Sequence, residues 1–314
     1  MGQSKKVLIT GSNGFVGKAL YGELLNKNYD LIGSVRNISK FIKEQSNVVT
    51  EKIDKETDWR ETLSGCTTVI HLASRVHILN DKIKDPLLEF RKVNTEGTIN
   101  LAEQSAEEGI KRFIFLSSIG VIGTKSLDTP FTADSVIDPQ TPYAQSKLEA
   151  EVGLRDIASN TDMEVVIVRS PAIYGNNAPG NFGLIEASIS KGIPLPFGSI
   201  LNRRSLIYLY NLTSFLNLCI HHQEVGDKIF VIDDNCDLST PEIVLVMASL
   251  LHRQPKLIKF PRVVLHYLLK FIGKDRMRES LMENLQIDSS ATRMLTGWAP
   301  PFNPKDFFDS SSGD

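Results

Sequence analysis

The chain is poor in cysteine. It has three, Cys66, Cys219 and Cys236, an odd and widely spaced set. That excludes a disulfide framework or a zinc-type ligand spacing, so no metal site is expected. It fits a reducing, cytoplasmic setting in which all three are small buried apolar residues. Charge of one sign is also lacking. The 35 Lys and Arg against 37 Asp and Glu leave a formal net charge of −2, so the chain as a whole carries no footprint for nucleic acid or a membrane partner. Long apolar runs are missing too. No signal-peptide core precedes a cleavage site, and no stretch reaches the roughly 20 apolar residues of a spanning helix. The most apolar late segment, Val263 to Ile272, is interrupted by His266 and Lys270 and reads as an amphipathic core helix. There is no internal repeat. Disorder is expected only in the tail from Ser310 to Asp314.

What is present is alternation. Short β-rich runs at Lys6–Thr10, Leu31–Val35, Val48–Val49, Thr68–Leu72, Phe113–Ser117 and Glu164–Arg169 are separated by helical patterns. The helices expected are about 14–26, a long one over about 88–108, and one from Tyr143. Strands alternating with helices predict an α/β fold: a doubly wound parallel sheet with right-handed crossovers. After Arg169 the alternation breaks. Residues 176–181 and 192–198 read as loops, and helices are expected at about 211–222, 240–252 and 262–272. Lys228–Ile232 reads as one more strand returning to the sheet. The expected division is a nucleotide-binding core of residues 1–170 plus about 205–236. A smaller interleaved lobe would comprise about 171–204 and 237–314, with substrate between the two.

Thr10-Gly11-Ser12-Asn13-Gly14-Phe15-Val16-Gly17 sits between the first strand and the first helix. Gly11 permits the tight turn, Gly14 lets backbone approach a pyrophosphate, and Gly17 lets the helix sit close to the sheet. The helix N-terminus then offers unpaired N–H groups and positive dipole to phosphates. This is a dinucleotide signature in its required strand–turn–helix context. An acid ending the second strand would bind the ribose 2′-OH of NAD, but the residue there is Arg36, which suits a 2′-phosphate. NADP(H) is therefore favoured, with NAD(H) as the alternative. Asp54 is placed to accept from the adenine amino group, or is an ordinary turn Asp.

Tyr143 and Lys147 are four residues apart and share one helix face. An ammonium beside a phenol favours phenolate, making a proton donor or acceptor usable near neutrality. Ser118 ends the fifth strand, where open α/β sheets place ligands, and could hold the same substrate oxygen.

Taken in order, the glycine loop, His71-Leu72-Ala73-Ser74, Asn94-Thr95-Glu96-Gly97, Ser117-Ser118, Tyr143 with Lys147, and Arg169-Ser170-Pro171-Ala172-Ile173-Tyr174-Gly175 resemble the extended short-chain dehydrogenase/reductases. Within these, the resemblance is to the NAD-dependent epimerase/dehydratase family that acts on nucleotide sugars. It implies Tyr143 as acid/base, Lys147 on the phenol and the nicotinamide ribose, and Ser118 on the reacting oxygen. It also implies cofactor contacts at Leu72, Ala73, Ser74, Asn94 and Pro171, beside Gly11, Asn13, Gly14, Phe15, Val16 and Gly17. Asn181, Arg204 and Arg278 correspond to positions that grip a nucleotide diphosphate, and residues 192–198 to a segment that wraps uracil. His77 is read as lining the sugar site or as a partly buried His at a helix start. A homodimer is implied by analogy, with Ala102 and Ala106 on the helix that would meet a second subunit.

Three reactions share this scaffold. Dehydratases of the family carry an Asp-Glu pair after the catalytic Ser or Thr. The corresponding residues here, Ile119 and Gly120, cannot move a proton. Between the other two, Arg36 and Ala172 depart from the epimerase pattern. The sequence is most similar to bacterial UDP-4-keto-6-deoxy-N-acetylglucosamine 4-reductases of surface polysaccharide assembly, with UDP-sugar 4-epimerase as the alternative. A non-catalytic cofactor sensor is the remote alternative, because a complete proton-transfer set is unnecessary for sensing.

Overall fold

The computed structural model describes residues 6–36, 48–50, 52–76 and 85–309. The expectations for His77 and for the tail from Ser310 lie outside the described residues.

The first half follows the alternation. β1 (Lys6–Thr10), α1 (Phe15–Asn26), β2 (Asp30–Val35), β3 (Val48–Thr50), α2 (Arg60–Leu63) and β4 (Cys66–His71) come first. Then α3 (Pro86–Phe90) runs through a π-helical turn, Arg91–Glu96, into α4 (Gly97–Glu107). β5 (Arg112–Ser118), α5 (Pro142–Asn160) and β6 (Glu164–Ser170) complete this half. The second half contains β7 (Ile173–Tyr174), α6 (Asn181–Ser190), β8 (Ile207–Tyr208), α7 (Leu209–His221) and β9 (Lys228–Val231). It ends with α8 (Thr240–Leu250), α9 (Arg262–Phe271), α10 (Asp275–Met282), α11 (Ser290–Thr296) and α12 (Asp306–Asp309).

Seven parallel strands form one sheet in the order β3-β2-β1-β4-β5-β6-β9. Strand order reverses between β1 and β4, which opens a crevice at their carboxyl ends. Alternation along the strands divides the core in two. Val7, Ile9, Ile70, Ile114, Val166 and Val168 face a cluster with α1 and α7. Leu8, Val69, Phe113, Phe115, Val165 and Ile167 face a cluster with α4 and α5. The period of two in a strand sends successive side chains to opposite faces. A third apolar cluster joins Tyr174, Ile185, Ile189 and Leu206 to α8.

Several expectations need correction. The helix over 88–108 is interrupted by the π turn, which places Asn94 against the β4 loop and Ser146. Residue 181, read as loop, starts α6. Gly180 turns the chain at φ 68, and a Cβ on Gly183 would lie 2.8 Å from Ala178 O. Gly180 therefore turns the chain into the helix, and Gly183 packs its start. Ala102 is wholly buried in the chain's own core and Ala106 packs against it. Cys66 and Cys219 are buried, but Cys236 is only half-buried. The helix over 262–271 is no core helix: only Leu265 and Leu269 are buried in it. Among the described residues no helix is long and apolar enough to cross a membrane.

Candidate active site

The crevice holds a cavity of about 500 Å³. The glycine loop forms one wall, with Gly11, Gly14, Phe15, Val16 and Gly17. Leu72 and Ser74 from the end of β4, and Ser118, Tyr143, Lys147 and Pro171, continue it. Asn181, Arg204, Thr240 and Ser280 close the far end. A smaller cavity of about 160 Å³ shares Gly11, Gly14, Leu72 and Ser74 and adds Asn13, Arg36, Ala73 and Arg75.

The glycine loop is built for close approach. Gly11 sits at φ +69, and a Cβ on it would lie 2.9 Å from the Ala73 backbone. A Cβ on Gly17 would lie 2.1 Å from Gly11 O, whereas one on Gly14 would meet only Gly11 O, at 3.1 Å. Gly14 therefore leaves its space to the cavity. It is also the N-cap of α1, with no side-chain cap and no acid in the first turn, so the helix N-terminus retains its affinity for an anion.

A buried polar network holds this loop. Ala73 N donates to Thr10 Oγ1 (3.2 Å), and Thr10 Oγ1 pairs with His71 Nδ1 (2.7 Å). His71 Nε2 pairs with Thr98 Oγ1 (3.0 Å), which donates to Asn94 O (2.8 Å). Because the Thr98 proton is committed to that carbonyl, His71 donates from Nε2 and accepts at Nδ1. Burial, then the nearby Lys147 charge, pushes its pKa down to about 3, so it stays neutral. Asn94, wholly buried, accepts from Arg75 N (2.8 Å) and Ser74 Oγ (3.0 Å). It donates to Arg75 O (3.0 Å) and Ser146 Oγ (3.1 Å). Its polar atoms are engaged by protein, so it positions the Ser74–Arg75 wall and does not itself line either cavity. The Thr10–His71–Thr98 chain went unread in the sequence; only its place in the His71–Ser74 motif hinted at it.

Tyr143 and Lys147 both reach the cavity from α5, whose start is fixed by Thr141 Oγ1 accepting from Ala144 N (3.1 Å) and by Pro142 in the first turn. Lys147 is 2 % exposed. Its Nζ donates to Leu116 O (2.9 Å) and lies 4.3 Å above the Phe115 ring centre. Burial pushes its pKa down to about 7, against the pull of Glu151. The Tyr143 phenol is pushed up to about 12, chiefly by desolvation, while a hydrogen bond with Ser74 pulls it back. The expected lowering of the phenol by Lys147 is not met. The lysine donates a hydrogen bond to a backbone carbonyl, and burial of the phenol outweighs the charge beside it. Ser118 Oγ accepts from Gly120 N (3.1 Å), which leaves its hydroxyl proton to point elsewhere. Ile119 is buried in an apolar cluster.

One turn below Lys147 lies a buried ion pair. Glu151 accepts from Arg169 Nη2 (2.7 Å) and from Ser117 Oγ (2.5 Å), and both charged side chains are under 5 % exposed. No reading of the sequence singled out Glu151, although it stands four residues beyond Lys147.

At the far end, Arg204 is nearly buried and donates from Nη1 to Glu283 O (3.0 Å). Burial pushes its pKa down to about 10, against the Glu283 charge. Asn181 donates to Ser280 Oγ (3.2 Å). Thr240 and Ser280 were not foreseen; short polar side chains on helices carry no sequence signal. Three expected residues are not brought to these cavities. Arg278 is engaged by Asp275 (3.3 Å), Glu279 (3.7 Å) and Glu283 (3.9 Å) around its own helix. Asp54 accepts from Glu56 N (3.0 Å) and Thr57 Oγ1 (2.9 Å), as a turn Asp does. Asn94 acts as described above. Leu195 and Phe197, from the expected uracil segment, line an adjoining groove that shares Asn181, Ile185 and Leu281 with the main cavity. Among the described residues no three His, Cys, Asp or Glu side chains gather as a metal site.

A Rossmann sheet with a glycine cradle at its switch point, and a Ser, Tyr and Lys beside it, defines the extended short-chain dehydrogenase/reductase class. Residues 7–233 match the NAD dependent epimerase/dehydratase family, and the chain belongs to it. A protein of Vibrio cholerae named UDP-glucose 4-epimerase is 38 % identical, over 95 % of this chain and 91 % of its own length. A dTDP-4-dehydro-6-deoxyglucose reductase of Escherichia coli is 29 % identical, over 76 % of this chain and 79 % of its own length. The crystal structure of a UDP-glucuronic acid 4-epimerase from Bacillus cereus in complex with NAD superposes with a TM-score of 0.77 at 20 % identity, over 97 % of this chain and 94 % of that one. At that identity the likeness is one of fold.

Proposed function

We propose that the chain interconverts a keto and a hydroxyl group at C4 of a UDP-sugar, using a nicotinamide dinucleotide. The observation that carries this is the convergence of Ser118, Tyr143 and Lys147 with the glycine cradle in one cavity. The cradle fits a dinucleotide: Gly14 keeps open the space its Cβ would fill, beside an uncapped helix start. Bound there, the cofactor supplies the redox half of the reaction. The chain's own residues handle the proton and the position of the sugar. Tyr143 Oη gives the proton to the sugar oxygen or takes it away. Ser118, already accepting from Gly120 N, donates its hydroxyl to the same oxygen. Lys147 provides positive charge beside them. Asn181 and Arg204, with Thr240 and Ser280, hold the diphosphate and sugar. In this reading residues 1–170 and about 205–236 serve the cofactor, and about 171–204 and 237–314 serve the sugar.

The favoured direction is reduction of a UDP-4-keto-6-deoxy-N-acetylhexosamine with NADPH, in the assembly of bacterial surface polysaccharide. The walls of the smaller cavity carry Arg36 and Arg75 and no carboxylate among the described residues, which favours a 2′-phosphate over a ribose hydroxyl. The second reading, 4-epimerisation with retained NAD, is favoured by the name of the 38 % identical relative. Dehydration has no support, since Ile119 and Gly120 stand where a proton-moving pair is needed.

The test is incubation with the 4-keto sugar and NADPH, following loss of the reduced nicotinamide. Stoichiometric oxidation by the native chain, reduced at least about 100-fold in Tyr143→Phe, is expected. Interconversion of UDP-hexoses without added cofactor, with NAD released on denaturation, would establish the epimerase instead. Full turnover in Tyr143→Phe would remove Tyr143 from the chemistry.

A further inference from the structure

The helix α9 turns the wrong face outward for a core element. Leu265 and Leu269 are buried, but Val263 is 65 %, Tyr267 64 % and Phe271 91 % exposed, with Val264, Leu268 and Ile272 at about half. At 100° per residue these six share one continuous arc, roughly half of the helix surface. Exposed apolar area of this extent marks a contact surface. The surrounding segment is as biased in charge as the helix is in polarity. Between His252 and Lys274 the sequence carries Arg253, Lys256, Lys259, Arg262, Lys270 and Lys274 and not one Asp or Glu, in a chain whose net charge is −2. All six are exposed, with Arg262 Nη2 also donating to Met282 O (3.2 Å) on the α10 side.

We propose that α9 and this basic segment form a peripheral docking surface for an anionic phospholipid bilayer. The apolar arc enters the boundary between headgroups and acyl chains, and the four lysines, with Arg253, meet lipid phosphates. Long cationic side chains bordering an apolar face suit that interface, because their stems stay apolar while their charges reach phosphate. Charge complementarity also decides between occupants. A second copy docking through the same patch would set six cations against six, and an isologous interface offers no acid in this segment to meet them. α9 packs on α10, which contributes Ser280 and Leu281 to the cavity wall, so the bilayer would lie one helix from the proposed sugar site. This inference stands on the surface alone and does not depend on which C4 reaction is catalysed.

The experiment is co-sedimentation of the full chain with vesicles of phosphatidylglycerol and phosphatidylethanolamine, against vesicles of phosphatidylcholine. Binding to the anionic vesicles, falling steeply with salt, is expected. The double variant Tyr267→Ser, Phe271→Ser and the variant Lys256→Glu, Lys259→Glu should each bind at least tenfold more weakly. Both should keep the native urea midpoint and turnover on soluble substrate, since these side chains are exposed. Equal binding to neutral and anionic vesicles, or none to either, overturns the proposal. So does concentration-dependent self-association that Phe271→Ser abolishes, which would make a second copy the occupant.

Discussion

At the scale of single residues, three glycines of α1 and its loop separate structural from functional need. Gly17→Ala would put a Cβ 2.1 Å from Gly11 O and 2.8 Å from Ser12 Cα. These are backbone atoms, so the loop must move, and a loss of about 1–3 kcal/mol in stability is expected along with cofactor binding. Gly14→Ala meets only Gly11 O at 3.1 Å. It should fold with a near-native melting temperature yet bind dinucleotide at least about tenfold more weakly, roughly 1.4 kcal/mol. Gly22→Ala meets nothing within 4 Å and should stabilise the helix by about 0.5–1 kcal/mol. Thermal melts with and without dinucleotide distinguish the three. These glycines were legible because their spacing states a backbone need. Asn94 and Arg278 were read less well. A side chain's type says what it can bond, but whether protein atoms have already taken those bonds is decided by neighbours distant in sequence.

At the scale of elements, α5 carries Tyr143, Lys147 and Glu151 at intervals of four, so one face runs from the cavity into a buried ion pair. The depressed Lys147 pKa, about 7 against an ordinary 10.5, has a fixed sign in linkage. Above about 10.5 the amine is neutral folded or unfolded, and its burial costs no proton. As pH falls towards about 7 the unfolded chain binds a proton that the folded chain refuses, so stability is lost across that window and the loss levels off below it. Lys147→Met should therefore stabilise the chain relative to native more at pH 7.5 than near pH 10, as read by urea midpoints at the two values. The Tyr143–Lys147 spacing was visible in the sequence, but the burial that raises one pKa and lowers the other was not. The same limit explains α9: its hydrophobic periodicity was plain, but which face is covered depends on what packs there. The π turn within the expected 88–108 helix likewise accompanies tertiary contacts of Asn94 that the sequence does not display.

At the scale of the molecule, the two apolar cores share the central strands. The chain's two tryptophans fall one to each side, Trp59 with α4 and α5, and Trp298 against Phe215 and Phe230 with α1 and α7. Trp298 Nε1 donates to Ser214 Oγ (2.9 Å), and Asn211 and Phe302 exchange two bonds of 2.8 and 2.9 Å, so the C-terminal segment is sewn back onto α7. One cooperative unit is expected. In urea, the fluorescence midpoints of Trp59→Phe and Trp298→Phe, each reporting a single core, should each coincide with that variant's own circular dichroism midpoint; separated midpoints would mean the cores melt independently. The parallel sheet was legible from the alternation of strands and helices, because that pattern admits few topologies. The far wall of the cavity was not, since it is assembled from residues between Asn181 and Leu281 that only the fold brings together. The division of β5 between two cores also constrains how this protein can change. Phe113 and Phe115 point one way, Ile114 the other, and Ser117 reaches Glu151 while Ser118 caps Gly120. Inserting or deleting one residue here would invert the parity of the strand, trading its two oily faces and swapping the serines in a single stroke. Length variation in this lineage should therefore accumulate in the loops and spare the strand that sets which way each serine points.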